Sequence, residues 1–385
     1  MIPFPAASGD AATRRKAWVA LAATAGLTPR GCAALLARYR APEAILAAPA
    51  AALSSAPGVS RPAADALASG QSARRAERLL RDSERDGAAI LTPDDAAYPA
   101  RLRDLPDPPP ALWYRGGMEL ASAMIAVVGS RRPSPYGSMV AERFGRELAL
   151  AGVTVVSGLA RGIDGAAHQA VLDAGGDTIA VLGCGLNRVY PLEHRALQEA
   201  IGRDGALLTE FSPNTPPLAH HFPRRNRLIS GLALGVVVVE AGERSGSLIT
   251  ARLALEQGRE VFAVPGNLGV GGSIGTNRLI KSGATLVERV EDILEAVAAQ
   301  IDPSIVRPLR PTPSADRMSA HAAEASLTTE ERALAGHVTH EPLHMDELAA
   351  RAGRPVRHVA ALLVSLELKG AVRQLPGQFY CRSTL

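Results

Sequence analysis

Two runs, Ile125-Ala126-Val127-Val128-Gly129-Ser130 and Gly235-Val236-Val237-Val238-Val239-Glu240-Ala241-Gly242, decide the fold. Each is apolar along its length and breaks off at a small-residue turn. Four more share that build: 153–158 (VTVVSG), 178–185 (TIAVLGCG), 206–211 (ALLTEF) and 260–266 (EVFAVPG). A strand with one wet face alternates polar and apolar residues; these do not, so both of their faces must be covered. Amphipathic stretches between the runs supply that cover as crossover helices. The fold class is therefore expected to be α/β, with residues 101–300 forming a Rossmann-like domain around a parallel sheet.

The text on either side has a different grain. From about residue 12 to 85 it is Ala-rich, with apolar residues at helical spacing interrupted by LTPRG (27–31) and APGVSR (56–61). That rhythm predicts short helices and tight turns, an N-terminal all-α module like a SAM or helix-hairpin-helix unit over residues 1–100. Its turn amides could hold phosphate, or the module could serve packing alone. RDLPDPPPALWYRGG (103–117) reads as a Pro-rich extended spacer marking a domain boundary. Residues 301–325 read as a flexible linker. The remainder, 326–385, gives helix, turn, a second helix at Val356 to Lys369, and two β-like pieces turning at Pro376-Gly377, the order of a winged helix. DNA reading by its second helix, a protein contact and plain packing all fit that module.

Composition narrows the function classes. A chain of 385 residues, 47% hydrophobic and 21% charged, is ordinary globular protein with room for two or three domains, which excludes collagen, coiled coil and wholesale disorder. The net charge of +4 divides into +3 over residues 1–120, zero over 121–300 and +1 beyond, so an anionic partner needs a local cluster of arginines. Three widely spaced cysteines, Cys32, Cys184 and Cys381, fit a reducing cytosol and argue against zinc or disulfides. No run approaches 18 apolar residues, so no membrane partner is expected. Arg14-Arg15-Lys16 before AWVALAATAGL imitates a signal peptide, but the pattern continues as helix-turn-helix without a cleavage site. No cofactor and no metal are expected.

Ligands of an open parallel sheet bind outside the carboxyl ends of its strands, and the chemistry-bearing motifs fall there. In Gly129-Ser130-Arg131-Arg132, Ser130 can donate to an anion and Arg131 can fork onto two phosphate oxygens, although a strand-ending Gly-Ser is also an ordinary turn. SGLARGID (157–164) places Gly158 and Gly162 four apart, an amide-lined cradle holding Arg161. Asp164 reads as a helix cap or a catalytic carboxylate, His168 as a buried hydrogen-bonded imidazole or a ligand contact. The spacing is neither GxGxxG nor a Walker loop, so dinucleotide and ATP readings lose support.

HHFPRRNRLISG (220–231) is the strongest local signal. Arg224, Arg225 and Arg227, with Asn226 among them and Phe222 beside them, combine phosphate forks with a stacking ring, as single-stranded nucleic acid requires. Leu228, Ile229 and Leu232 open an apolar helix, which puts the arginines at its N-terminal end, where their charge opposes the helix dipole and invites an anion. In the loop from Glu240 to Ser247, Ser245, Gly246 and Ser247 offer amides and hydroxyls to a phosphate, or Ser247 is a plain N-cap. Glu240 can accept from a hydroxyl, an amine or an arginine. Gly-rich GVGGSIGTN (269–277) closes the rim, and Lys281 reads as a solvated surface charge.

Together GSRRPSPYG, VSGLARGIDGAAH, AVLGCGLNRVYP, TEFSP, HHFPRRNRLISGLA, VVVEAGERSGSLITARLALEQGREVFAVPG and GTNRLIKSGA resemble the DNA-processing protein A (DprA, or Smf) family, in order, over roughly residues 100 to 300. The resemblance implies binding of single-stranded DNA without chemistry, homodimerisation through the Rossmann-like domain, and loading of the recombinase RecA in natural transformation. It puts Arg131, the Gly158 to Gly162 loop with Arg161, and Arg224, Arg225 and Arg227 in the DNA pocket, with Phe222 stacking on a base. Many family pockets carry Lys where this chain has Arg, which turns a point contact into a fork. Two other classes remain. The strand-end Glu and Gly/Ser loop are similar to LOG-type phosphoribohydrolases, but here the loop reads EAGERSGSLITA, its final Glu is replaced by Ala251 or its neighbours, and the acid/base partner is missing. A nucleotide-sensing regulator acting through the winged helix is the third.

Overall fold

The structure is a computed structural model that describes residues 9–118, 120, 123–302, 307, 327–339, 342–369, 371–375 and 377–382. Its contacts divide into two compact units, Met1–Pro133 with Val140–Arg307, and Ser134–Met139 with Pro308–Leu385.

In the first unit a nine-stranded sheet runs β1-β2-β6-β5-β4-β3-β7-β8-β9. Its seven parallel strands are β3 (Met124–Val128), β4 (Thr154–Ser157), β5 (Thr178–Val181), β6 (Ala206–Thr209), β7 (Gly235–Val238), β8 (Glu260–Ala263) and β9 (Thr285–Leu286). Strands β3 to β7 are buried throughout, and alternate residues serve opposite faces. Ile179 and Val181 of β5 join a cluster with Leu228, Ile229 and Leu232, whereas Ala180 and Leu182 join Ile201, Val19 and Ala20 on the other side. That two-sided burial is why the sequence runs do not alternate.

Two elements depart from the expectation. Leu112–Gly116, the end of the Pro-rich segment, is not a spacer but β2, antiparallel to β6, and Ala89–Leu91 adds β1 antiparallel to β2. Ala111, Leu112, Trp113 and Tyr114 are buried there, so the apolar tail of the segment wins over its prolines. The helices α1 (Gly9–Ala23) and α6 (Gln71–Arg85) send Val19, Ala20 and Ala76 into the cluster that holds Trp113 and Leu207. The signal-like stretch therefore runs along α1 and past its end at Ala23, with Ala17, Trp18, Val19, Ala20 and Leu21 buried. Between them, α2 (Pro29–Tyr39) and α5 (Arg61–Ala68) start alike: Thr28 and Ser60 accept from the backbone N–H three residues on, each with a proline in the first turn. The division at residue 100 stands as a proposed module boundary inside one compact unit.

The second unit has helices at Thr329–Ala335, Met345–Ala352 and Val356–Leu368 and a sheet ordered β10-β12-β11 (Leu343–His344, Phe379–Arg382, Val372–Leu375). Leu334, Leu348, Val359, Leu363, Leu366 and Tyr380 form its core. This is the winged-helix order. The expected linker 301–325 lies outside the described residues except at 301, 302 and 307, as does Pro376 of the expected turn.

Candidate nucleic-acid interface

The chain leaves β3 to lay β4, β5 and β6 on one side and later returns to lay β7, β8 and β9 on the other, so the strand order reverses at the β3–β7 pair. Helices on either side of such a point diverge and leave a crevice at the carboxyl ends of the strands. A cleft of about 800 Å³ opens there, lined by the end of β3, the loops after β4, β5 and β7, and one face of α11 (His221–Leu232).

Its floor is Arg225, 3% exposed. The Arg225 Nη1 group donates to the carbonyl of Gly158 at 2.7 Å and to that of Val181, and Nε donates to Asn226 Oδ1 at 3.2 Å. Burial lowers its guanidinium to about 10, and Asp164 nearby opposes that fall. Burial in turn raises Asp164 above the usual carboxylate range, against the pull of Arg225. The Asp164 Oδ2 atom accepts the backbone N–H groups of Gly158 at 3.1 Å and Ala160 at 3.3 Å. Asp164 is thus neither cap nor free base: it sits in the first turn of α9 (Ile163–Asp173) and reaches back to fix the loop. Gly158 is needed for closeness, because a Cβ would stand 2.5 Å from the Arg225 guanidinium. Gly162, at φ +75°, would drive a Cβ to 2.4 Å from the Ser130 carbonyl. The two glycines let three loops touch; the Gly158 amide itself is taken by Asp164.

One wall is aromatic. Phe222 and Tyr190 lie 5.2 Å apart between ring centroids, and the Arg131 guanidinium sits over Phe222 at 5.4 Å. The remaining walls are cationic and hydroxylic. Arg131 and Arg132 leave β3, with Ser130 Oγ accepting the Arg132 N–H at 3.1 Å. Opposite them Arg244 precedes Ser245, Gly246 and Ser247, where α12 (Ser247–Glu256) begins. The two serine hydroxyls share a hydrogen bond of 2.8 Å. The helix takes Gly246 as its cap residue, so Ser247 is its first residue and not its N-cap. Arg131, Arg132 and Arg244 are exposed, and among the described residues none of them is in an ion pair.

Other expected site residues do not reach the cleft. The helix α11 starts at His221, so the three arginines occupy its first two turns and point different ways. Arg224 and Arg227 donate to Glu210 Oε2 at 2.8 and 2.7 Å, and the Glu210 side chain is 1% exposed; Asp107 is a second acidic neighbour of Arg227 at 3.7 Å. These two guanidiniums neutralise a buried carboxylate at the end of β6. Arg161 is exposed and pairs with Glu193, and Glu240 is buried against Gly272. His168 is fully buried; its Nδ1 meets the Thr178 hydroxyl at 2.6 Å, and burial pulls it down to about 3, the structural reading of that residue. Among the described residues no group of His, Cys, Asp and Glu could hold a metal ion, and no helix is long and apolar enough to cross a membrane.

Among the lining residues, two cationic ones, Arg132 and Arg244, and one aromatic, Tyr190, were not singled out from sequence. Arg132 and Arg244 stand inside loops that were, and the signal for each was an arginine in a strand-end turn. For Tyr190 the signal was an aromatic in another strand-end loop, LGCGLNRVYP.

A family model described as DNA recombination-mediator protein A matches residues 89–298, and one described as DprA winged helix domain matches 318–378. The chain is 46% identical over 292 residues to Protein Smf of Escherichia coli, covering 75% of this chain and 76% of that one. It is 48% identical over 203 residues to DNA processing protein DprA of Streptococcus pneumoniae, covering 52% and 71%. The solved DNA processing protein A of Streptococcus pneumoniae superposes with a TM-score of 0.64 at 36% identity over 74% of this chain and 98% of that one. A structure of DNA processing protein A from Helicobacter pylori, described by its single-stranded DNA binding mode, gives 0.50 at 31% identity over 56% and 97%.

Proposed function

The chain belongs to the DNA recombination-mediator protein A (DprA/Smf) family, and from that premise we propose that it binds single-stranded DNA in the cleft between β3 and β7. The observation that carries this reading is the set of unpaired guanidiniums, Arg131, Arg132 and Arg244, on both walls of a cleft whose aromatic side is Phe222 and Tyr190. Forked cations hold successive phosphates while a ring accepts any base on its face, which gives affinity without sequence preference. Arg225 below offers charge to a group that penetrates furthest. The reading is one of binding and not of catalysis, since Asp164, the carboxylate among the described lining residues, accepts the Gly158 and Ala160 amides and serves to fix the loop. This disfavours a phosphoribohydrolase.

Delivery of the bound strand to RecA during natural transformation, homodimerisation through the α/β domain and a cytoplasmic setting complete the proposal; these rest on the family alone. The test is titration of an unlabelled-sequence oligonucleotide library against the protein and its Arg131→Ala, Arg244→Ala double variant across salt. Two lost phosphate contacts flatten the slope of log affinity on log salt by about 1.4, at about 0.7 each. Affinity unchanged within about threefold, with the wild-type slope kept, refutes the cleft assignment.

A further inference from the structure

Outside the cleft, the strongest unexplained charge in the first unit is on α6. Arg74, Arg78, Arg81 and Arg85 recur along it, and Arg75 flanks them. At 100° per residue the four fall within an arc of about 60°, opposite the side buried through Ser72, Ala76 and Ser83. All five are exposed. Among the described residues, Arg85 alone of the five is in an ion pair, with Asp82 at 3.3 Å and Asp86 at 3.4 Å, while Arg74 gives one long bond to the Ser69 carbonyl. Of the carboxylates beside the row, Glu77 is held by Lys16 at 3.0 Å and Asp82 by Arg85 at 3.3 Å. Like charges one helical turn apart destabilise a helix. Among the described residues Arg74, Arg78 and Arg81 have no ion pair, and Glu77, whose charge reaches Arg74 and Arg81, is hydrogen-bonded to Lys16, so these three keep charge available to an external polyanion.

The row also leads somewhere. At the C-terminal end of α6, Asp86 accepts from Asn187 Nδ2 at 3.0 Å, and Asn187 accepts from Arg115 Nη2 at 3.2 Å. Asn187 belongs to the loop after β5 that continues through exposed Arg188 to Tyr190, a wall of the cleft. The row and the cleft are therefore joined by one loop on the carboxyl-end rim.

We infer that the Arg74–Arg78–Arg81 face of α6 is a second DNA-backbone surface, which takes the single strand as it leaves the cleft past Tyr190. The inference deepens the reading of the cleft and rests on it. Successive arginines stand about 6 and about 4.5 Å apart along the axis, steps that long, jointed side chains can match to consecutive phosphates of an extended strand. The face presents no ring to stack on, so it tracks backbone only.

The experiment compares oligonucleotides of about 6 and about 30 nucleotides, the first filling a single site and the second running past it. The Arg74→Gln, Arg78→Gln, Arg81→Gln variant is expected to bind the short strand as the wild type does. On the long strand it should bind about fivefold or more weakly, with the salt slope lower by about 2, three contacts at about 0.7 each. Replacement of the same three by Lys should restore most of the loss. Equal binding of the long strand by wild type and Gln variant overturns the inference, as does a loss confined to duplex of that length. If the wild type fails to hold the short strand while the long one still depends on α6, it is the cleft reading that fails.

Discussion

Arg227→Ala separates the structural arginines from the binding ones. The Arg227 side chain is 8% exposed and its Nη2 lies 2.7 Å from Glu210 Oε2. Removing it leaves Glu210, 1% exposed, with Arg224 as its remaining partner, and Arg224 is 34% exposed and 2.8 Å away. Stripping one partner from a buried pair costs about 3 to 5 kcal/mol; because Arg224 remains, the low end, about 3, applies. At about 2 °C per kcal/mol for a large domain, the melting temperature should fall by about 6 °C. Arg227 lies outside the cleft, so at a temperature where the variant is folded the salt slope of single-strand binding should stay at the wild-type value. Scanning calorimetry and oligonucleotide titration read the two effects separately. A variant that melts within about 1 °C of wild type yet loses about 0.7 in slope would show that Arg227 meets phosphate and that its pairing with Glu210 is incidental.

Two further outcomes follow from the cleft and the core. Phe222→Leu should weaken single-strand binding by about 1 to 3 kcal/mol, the worth of one stacked base, with the slope intact; a change in slope with no loss of affinity at low salt would contradict a stacking role. His168 is held neutral by burial, down to about 3 from the usual 6.5, so the unfolded chain binds the extra proton between those values. Stability is therefore full above about pH 6.5 and falls as pH drops toward 3, by up to about 1.4 kcal/mol per unit. His168→Asn should remove that part of the slope in denaturant titrations at several pH values, and parallel pH profiles for the two proteins would refute it.

The sheet was legible because a strand buried on both faces is apolar at every position, a property local to the strand. Val236 to Val239 needs no knowledge of its neighbours to be read. The partners of the arginine segment were not legible for the opposite reason. Whether Arg224 and Arg227 face solvent or a carboxylate depends on Glu210, fourteen and seventeen residues away at the end of another strand. A lone acidic residue closing an apolar run, as in ALLTEF, was the available signal, since a carboxylate at a buried strand end requires a cation. The Pro-rich segment hid β2 because its strand character is confined to five residues, Leu112–Gly116, after the prolines end.

The exposed arginines at the switch point have one more effect. Arg131 and Arg132 at the end of β3 and Arg244 after β7 hold like charge around a common space without counter-charge of their own, so the vacant cleft carries repulsion that dissolved ions screen. Added electrolyte thus relaxes the empty protein and loosens its complex through the same three side chains. The conditions that rest the molecule are those in which it lets go.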